Sequence, residues 1–228
     1  MSVIIDTFIA PPCTQDIEIL WQDDDLILIN KPSGLLSLSG KNPQNLDSVH
    51  YRLVQTFPGC TLVHRLDFGT SGIMVIARNK AINAALCHQF SQRAVSKAYT
   101  ALLCGHVKDD EGIIDAPIAK DPALFPLMSI CAISGKPARS RFRVVERIDK
   151  GKELPLTRVE LIPETGRTHQ LRIHCQQLGH PILGCDLYGG LEMPGAEGTP
   201  RLMLHASGLD FVHPVSGEAI NARHAAPF

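Results

Sequence analysis

Short β-prone runs bounded by turn signals recur along this chain, one of them alternating with a period of two, and three stretches instead carry the spacing of an amphipathic helix. Ile17 to Trp21 and Leu26 to Asn30 read as two strands of a hairpin around the acidic turn Gln22–Asp25. Residues 31–45, KPSGLLSLSGKNPQN, are punctuated by proline, glycine and serine and read as a loop. Asp47 is placed to cap a helix running to Phe57, with Val49, Leu53 and Phe57 on one stripe and Pro58 and Gly59 ending it. Thr61 to Val63 leads into a polar loop, and the β-prone run Ile73 to Ala77 leaves it. Asn79 caps the next predicted helix, where Ile82, Leu86 and Phe90 share a face. Lys97 to Cys104 is a strand, and residues 106–137 are rich in turns and resist assignment. Arg139 to Val145 alternates Arg139, Arg141 and Arg143 against Ser140, Phe142 and Val144, so the three arginines stand on one face of a strand. Leu156 to Ile162 is another strand. Thr168 then opens a helix with Leu171, Cys175 and Leu178 inward, closed by Gly179 and Pro181, and strands follow around Leu202–Ala206 and Ala219–Ala222. Strands outnumber helices, short turns favour antiparallel pairing, and no βαβ alternation or internal repeat occurs, so the fold class is α+β. Residues 1–16, stiffened by Pro11 and Pro12, read as an extended arm before one domain over residues 17–228.

Composition narrows the class. The 228 residues are 44% hydrophobic and 20% charged, as in an ordinary soluble globular protein. The net charge of −1 gives no global hint of a nucleic-acid partner. The charges are segregated, however: residues 16–25 carry five acids and no base, whereas residues 136–147 carry Lys136, Arg139, Arg141, Arg143 and Arg147 against Glu146 alone. Local fields of this kind steer binding more than the sum does. The seven cysteines are scattered singly with no C-x-x-C pair, which argues against a zinc site or disulfide framework and for reduced thiols in the cytoplasm. No apolar run approaches the ~20 residues of a membrane helix, and no signal peptide is apparent.

Candidate chemistry gathers in a few clusters. The loop in HRLDFGTSGIMVIA (64–77) presents one carboxylate, Asp67, with Arg65 two residues before it and Gly69 and Gly72 allowing tight turns. A lone acid on a strand-flanked loop suits a nucleophile or general base, and equally an ordinary loop salt bridge. Tyr99 offers a phenol at the start of a strand, or simply packing. In GRTHQLRIH (166–174), Arg167 and Arg172 lie near a helix amino terminus, where a solvated basic face is the plain alternative. The arginine strand has its own plain alternative as a polar sheet face. There is no P-loop, G-x-G-x-x-G or nucleophile elbow, and His169, His174 and His180 lack metal-ligand spacing, so neither a cofactor nor a metal is expected.

Taken together and in this order, NKPSGLLS (30–37), HRLD with TSG (64–72), KAY (97–99), GKPARSRF (135–142), TGRTHQLRIH (165–174), GHPILG (179–184) and LHA (204–206) resemble the RluA-type pseudouridine synthases. The similarity covers roughly residues 17–220. It implies a mixed, largely antiparallel sheet with flanking helices, in two lobes around a central catalytic cleft. The implied reaction detaches uracil from its ribose, turns it and rejoins it through carbon. Asp67 is then the catalytic carboxylate, attacking the sugar or the uracil ring, Arg172 keeps it charged, and Tyr99 stacks under the uracil. A flipped-out uridine is required, with Arg65 filling the gap and His64 beside it. Lys136, Arg139, Arg141, Arg143 and Arg167 become contacts to RNA.

The absence of room for an S4-type domain places the chain with compact members that act on short stem-loops, and the NKPSGLLS loop looks most like the member acting on both large-subunit ribosomal RNA and a transfer-RNA anticodon stem-loop. Where the family usually has Asp directly after GHPILG, Cys185 intervenes before Asp186. The expectation is a cytoplasmic, monomeric isomerase. Two other classes compete, an RNA stem-loop-binding module without catalysis and a hydrolase using Asp67. Intact Asp67, Tyr99 and Arg172 speak against the first, and the arginine strand against the second.

Overall fold

The acidic turn between the first two strands closes on itself. In the computed structural model, Asp23 Oδ1 accepts the backbone N–H groups of Asp25 and Leu26, both at 2.8 Å. This joins β1 (Glu18–Gln22) to β2 (Leu26–Lys31) in antiparallel register, with an irregularity between Ile19 and Trp21. The structure describes residues 8–120, 126–149, 155–189 and 199–228, so the first seven residues of the expected arm and part of the turn-rich 106–137 region lie outside the described residues.

Two compact units emerge, Met1–Val95 with Asp210–His224 and Ser96–Leu209 with Ala225–Phe228. In the first, α1 (Val49–Thr56) buries Val49 and Leu53. Its cap is Ser48, whose Oγ accepts the Tyr51 N–H at 3.1 Å, rather than the expected Asp47. Asp47 lies one position too early, and its carboxylate instead grips the Arg52 guanidinium at 2.7 and 2.6 Å. β3 (Thr61–Leu62) and β2 both pair antiparallel with β4 (Ser71–Ala77), which is buried along its whole length. α2 (Lys80–Ser91) is capped by Asn79, as its sequence predicts, and buries Ile82 and Leu86.

The second unit is built on β5 (Ser96–Cys104), β6 (Glu111–Asp115), β7 (Ile118–Lys120), β8 (Met128–Ile130), β9 (Arg139–Ile148) and β10 (Leu156–Pro163). Four of these lie in the order β5, β10, β9, β6, antiparallel at every step, while β7 and β8 form a separate pair. The turn-rich region thus contains three short strands, each too brief to impose a pattern on its sequence. α3 (Gln170–Gln177) packs Leu171, Ile173 and Cys175 into a core with Ala101, Leu103 and Val159. It begins two residues after Thr168, because Gln170 organises the approach: its Oε1 accepts from Thr165 Oγ1 at 2.7 Å and from the Arg167 N–H at 3.0 Å. His169 takes the left-handed conformation between them, φ 55°. β11 (Leu204–Val212) carries the chain from the second unit back to the first, where β12 (Ala219–Arg223) pairs with it. The fold is α+β, with largely antiparallel sheet and three α-helices among the described residues.

Candidate active site

The loop bearing Asp67 is held from the loop that follows β2. Lys31, with no exposed surface, donates from Nζ to the carbonyls of Pro32 at 2.9 Å, Leu35 at 2.7 Å and Phe68 at 3.3 Å. Ser33 Oγ donates to Gly69 O at 2.7 Å, and Ser37 Oγ both donates to Leu66 O and accepts its N–H. The Gly34 N–H reaches Phe68 O at 2.9 Å from a φ of +77°, a conformation that glycine adopts without penalty. The carbonyls of Leu66, Phe68 and Gly69 are therefore all fixed, and Thr70 N–H closes a turn onto Asp67 O at 3.1 Å. KPSGLLS is thus the clamp that sets the backbone of RLDFG. Leu66 is buried, Arg65 beside it is exposed, and Asp67 is half-buried. Within its own unit the Asp67 carboxylate has no hydrogen-bond donor among the described residues, so its backbone is rigid while its oxygens stay available. His64 has a structural task. Its Nε2 accepts the Val75 N–H at 3.1 Å, and its ring stacks on Phe90 with centroids 4.9 Å apart.

In the second unit, Tyr99 and Lys97 stand two residues apart on β5 and so face the same way. Tyr99 lies opposite Leu161 of β10 and packs against the core. Burial lowers the pKa of Lys97, whose Nζ approaches Thr165 O at 3.5 Å. Arg172 is buried, contrary to the plain expectation of a solvated basic face. Its guanidinium pairs with Asp186, donates to Cys185 Sγ at 3.3 Å and lies 5.5 Å above the Tyr188 ring. Tyr188 in turn bonds His169 Nδ1 at 2.9 Å and accepts the Met128 N–H at 2.8 Å. The segment after GHPILG, including the intervening Cys185, thus forms the seat of Arg172, and sequence reasoning missed Asp186 and Tyr188 in that role. Arg167 is held by Pro137 O at 3.0 Å, and Lys136 is exposed.

On β9, Arg139, Arg141 and Arg143 are exposed and Ser140 and Phe142 buried, as their alternation predicts. The arginines are not solitary, however. Arg139 and Arg141 pair with Glu164 at 3.4 and 3.0 Å, and Arg143 pairs with Glu160 at 3.1 Å. The acids come from β10 and the residue just beyond it. A register between strands, which neither strand's own pattern reveals, is what brings them there.

Among the described residues, one group has the composition of a metal site. Ligand atoms of Asp23, Asp25 and His213 lie within 4.8 Å of one another. The hydrogen bonds assign it differently. His213 Nδ1 accepts the N–H groups of Val215 and Ser216 at 3.2 and 3.1 Å, which leaves its proton on Nε2 to be donated to Asp23 Oδ2 at 2.9 Å. The lone pair a metal would need is taken up within the turn before β12, and the Nε2 proton ties that turn to the β1–β2 turn.

The family model described as RNA pseudouridylate synthase matches residues 25–177. The chain is 43% identical over 206 residues to the dual-specificity RNA pseudouridine synthase RluA of Vibrio vulnificus (strain CMCP6), covering 90% of this chain and 82% of the relative. It is 41% identical to the protein of that name from Escherichia coli (strain K12), covering 96% and 97%. Among solved structures, human RNA pseudouridylate synthase domain containing 1 superposes with a TM-score of 0.79 at 32% identity, covering 96% of this chain and 86% of that one. Human RNA pseudouridylate synthase domain containing 4 gives 0.73 at 27%, covering 92% and 88%. The mixed, largely antiparallel sheet with three helices is thus the pseudouridine synthase fold. The family match takes in the clamped Asp67 loop, Tyr99 and the buried Arg172, and the chain belongs to the RNA pseudouridylate synthase family.

Proposed function

We propose that this protein converts specific uridines in structured RNA to pseudouridine, with large-subunit ribosomal RNA and a transfer-RNA anticodon stem-loop as substrates. The observation that carries the proposal is the Asp67 loop, whose carbonyls are fixed by Lys31, Ser33 and Ser37 while its carboxylate is left available. Preorganisation of this kind suits a nucleophile that must meet one atom of a bound substrate. Identity above 40% to proteins named for dual specificity toward RNA supports the substrate class.

In this account the target uridine is extruded from the RNA, because a stacked base cannot reach a protein carboxylate. Arg65, exposed beside the clamped Leu66, fills the vacated position with its planar guanidinium. Asp67 supplies the nucleophile, at the sugar or at the ring. The bond from uracil N1 to the sugar breaks, one from C5 to the sugar forms, Tyr99 takes the C5 proton while N1 gains one, and the carboxylate is expelled. The reaction is therefore an isomerisation that needs no co-substrate. Arg172 favours the charged form of the carboxylate, and Tyr99 stacks under the uracil. Lys136 and Arg167, with Arg139, Arg141 and Arg143, contact the RNA, and His64 shapes the base of the loop. The protein acts as a cytoplasmic monomer, a setting that suits its seven free cysteines.

The test is to incubate the protein with bulk ribosomal and transfer RNA and to map pseudouridine by carbodiimide-blocked primer extension. New stops at a small number of uridines are expected, and a complete lack of them overturns the proposal. Asp67→Asn should abolish turnover and leave RNA affinity within about twofold, an isosteric change that removes only the nucleophile. Substantial residual turnover removes Asp67 from its role.

A further inference from the structure

The outer face of the β6, β9, β10 sheet carries the arginines, but its charge is not positive. Cross-strand register sets Glu111 opposite Arg143 and Asp115 opposite Arg139 on β6, and Glu160 opposite Arg143 on β10. Residues directly opposite one another share a face. With Glu164, which reaches both Arg139 and Arg141, three arginines stand among four carboxylates. The pairs are exposed enough to exchange partners. The arginine side chains are 45–60% exposed, and both glutamates are 33% exposed. Pairs of this kind add little to stability, so the acids must be explained some other way.

We propose that Glu160 and Glu164 are selectivity residues. They occupy the β9 arginines and repel RNA phosphates, so that only an RNA presenting phosphates to several arginines at once displaces them. This rests on the RNA-binding reading above and deepens it. An arginine bound to one carboxylate retains further N–H donors, and a phosphate approaching a single arginine meets the adjacent glutamate charge as well. A folded RNA whose phosphates match the spacing of the strand overcomes that repulsion by engaging several arginines together, whereas a flexible strand does so at a greater ordering cost. The glutamates thereby lower affinity for unstructured RNA more than for a stem-loop.

The experiment measures binding of the full chain to a fluorescent oligoadenylate, which has no uridine to flip, and to a structured stem-loop across a salt series. Glu160→Gln and Glu164→Gln are made singly and together, with Glu218→Gln, on a turn of the other unit, as a control for total charge. The double variant is expected to bind oligoadenylate roughly two- to tenfold more tightly. Its slope of log affinity against log salt should steepen by about 0.7 per arginine released. The stem-loop should gain less, and each single variant should give part of the effect with its native thermal melt retained. Adding Arg139→Ala, Arg141→Ala and Arg143→Ala should erase the gain. The proposal is overturned by unchanged affinity and slope, by an equal gain from Glu218→Gln, or by a gain that survives loss of the arginines. Pseudouridine formation by the unaltered protein is assayed separately. Its failure bears on the proposed function, whereas these binding curves bear on the glutamates.

Discussion

A lysine with none of its surface exposed is rare, because an ammonium group is expensive to remove from water. Lys31 is tolerated because its three N–H groups find three carbonyls, one of them in the Asp67 loop. Lys31→Met keeps the volume and strands those oxygens, and we expect a loss of roughly 2–4 kcal/mol in urea unfolding. Turnover should fall even where the variant is fully folded, because the Phe68 carbonyl then keeps only the Gly34 N–H of its two anchors. His174 is a second buried polar residue, with Ala116 O 3.1 Å from Nε2 and Ser140 Oγ 3.0 Å from Nδ1. The carbonyl can only accept, so Nε2 carries a proton, and burial disfavours a second one on Nδ1. Desolvation holds its pKa below the usual 6.5, although the bond to Ala116 works against that shift. The unfolded chain therefore takes up a proton at a higher pH than the folded one. The stability this ring contributes is complete above about pH 6.5 and is lost as the pH falls through the folded value. Urea midpoints measured against pH should decline on the acid side, and His174→Gln should flatten that decline.

Helix boundaries show how local chemistry and tertiary context divide the work. At α1, Ser48→Ala should cost about 1 kcal/mol because the Tyr51 N–H loses its acceptor. Asp47→Ala should cost about 0.5 kcal/mol or less, since only a half-exposed pair with Arg52 is lost. Thermal melts of the two variants separate them, and the reverse order would return the cap to Asp47. The sequence could not rank these neighbours, because either side chain is a good cap and the choice depends on where the backbone turns extended. Asn79 was legible because no competing cap stands beside it. The alternation of β9 was legible for the same kind of reason, since a strand's two faces follow from its own residues. The glutamates opposite it were not, because register is a property of pairs. Nor was the burial of Arg172, which depends on Cys185, Asp186 and Tyr188, 13 or more residues away and ordered only in the folded unit. Asp67 itself was visible as a lone acid, but the reason it is held so firmly lies in the 31–37 loop.

Over the whole molecule, the path of the chain matters more than its net charge. It passes between the two units at Val95–Ser96, at Leu209–Asp210 and at His224–Ala225, so neither unit is a continuous piece of sequence. Residues 1–95 alone lack His213, which bonds Asp23, and the Val212 carbonyl, which accepts from Gln89 Nε2 at 2.7 Å. A fragment ending at Val95 should fail to give a cooperative melt, while adding residues 210–224 as a peptide should partly restore one. A sharp two-state transition from the fragment alone would show that the returning segment is dispensable.

The His213–Asp23 bond also has a bearing on how the protein is made. Translation proceeds from the amino terminus, and Asp23 leaves the ribosome 190 residues ahead of its partner. The unit that bears the Asp67 loop therefore waits, incomplete, until residue 213 has been added. A chain halted early by a damaged or truncated message carries the Asp67 loop and its 31–37 clamp on a unit that lacks its closing segment, residues 210–224.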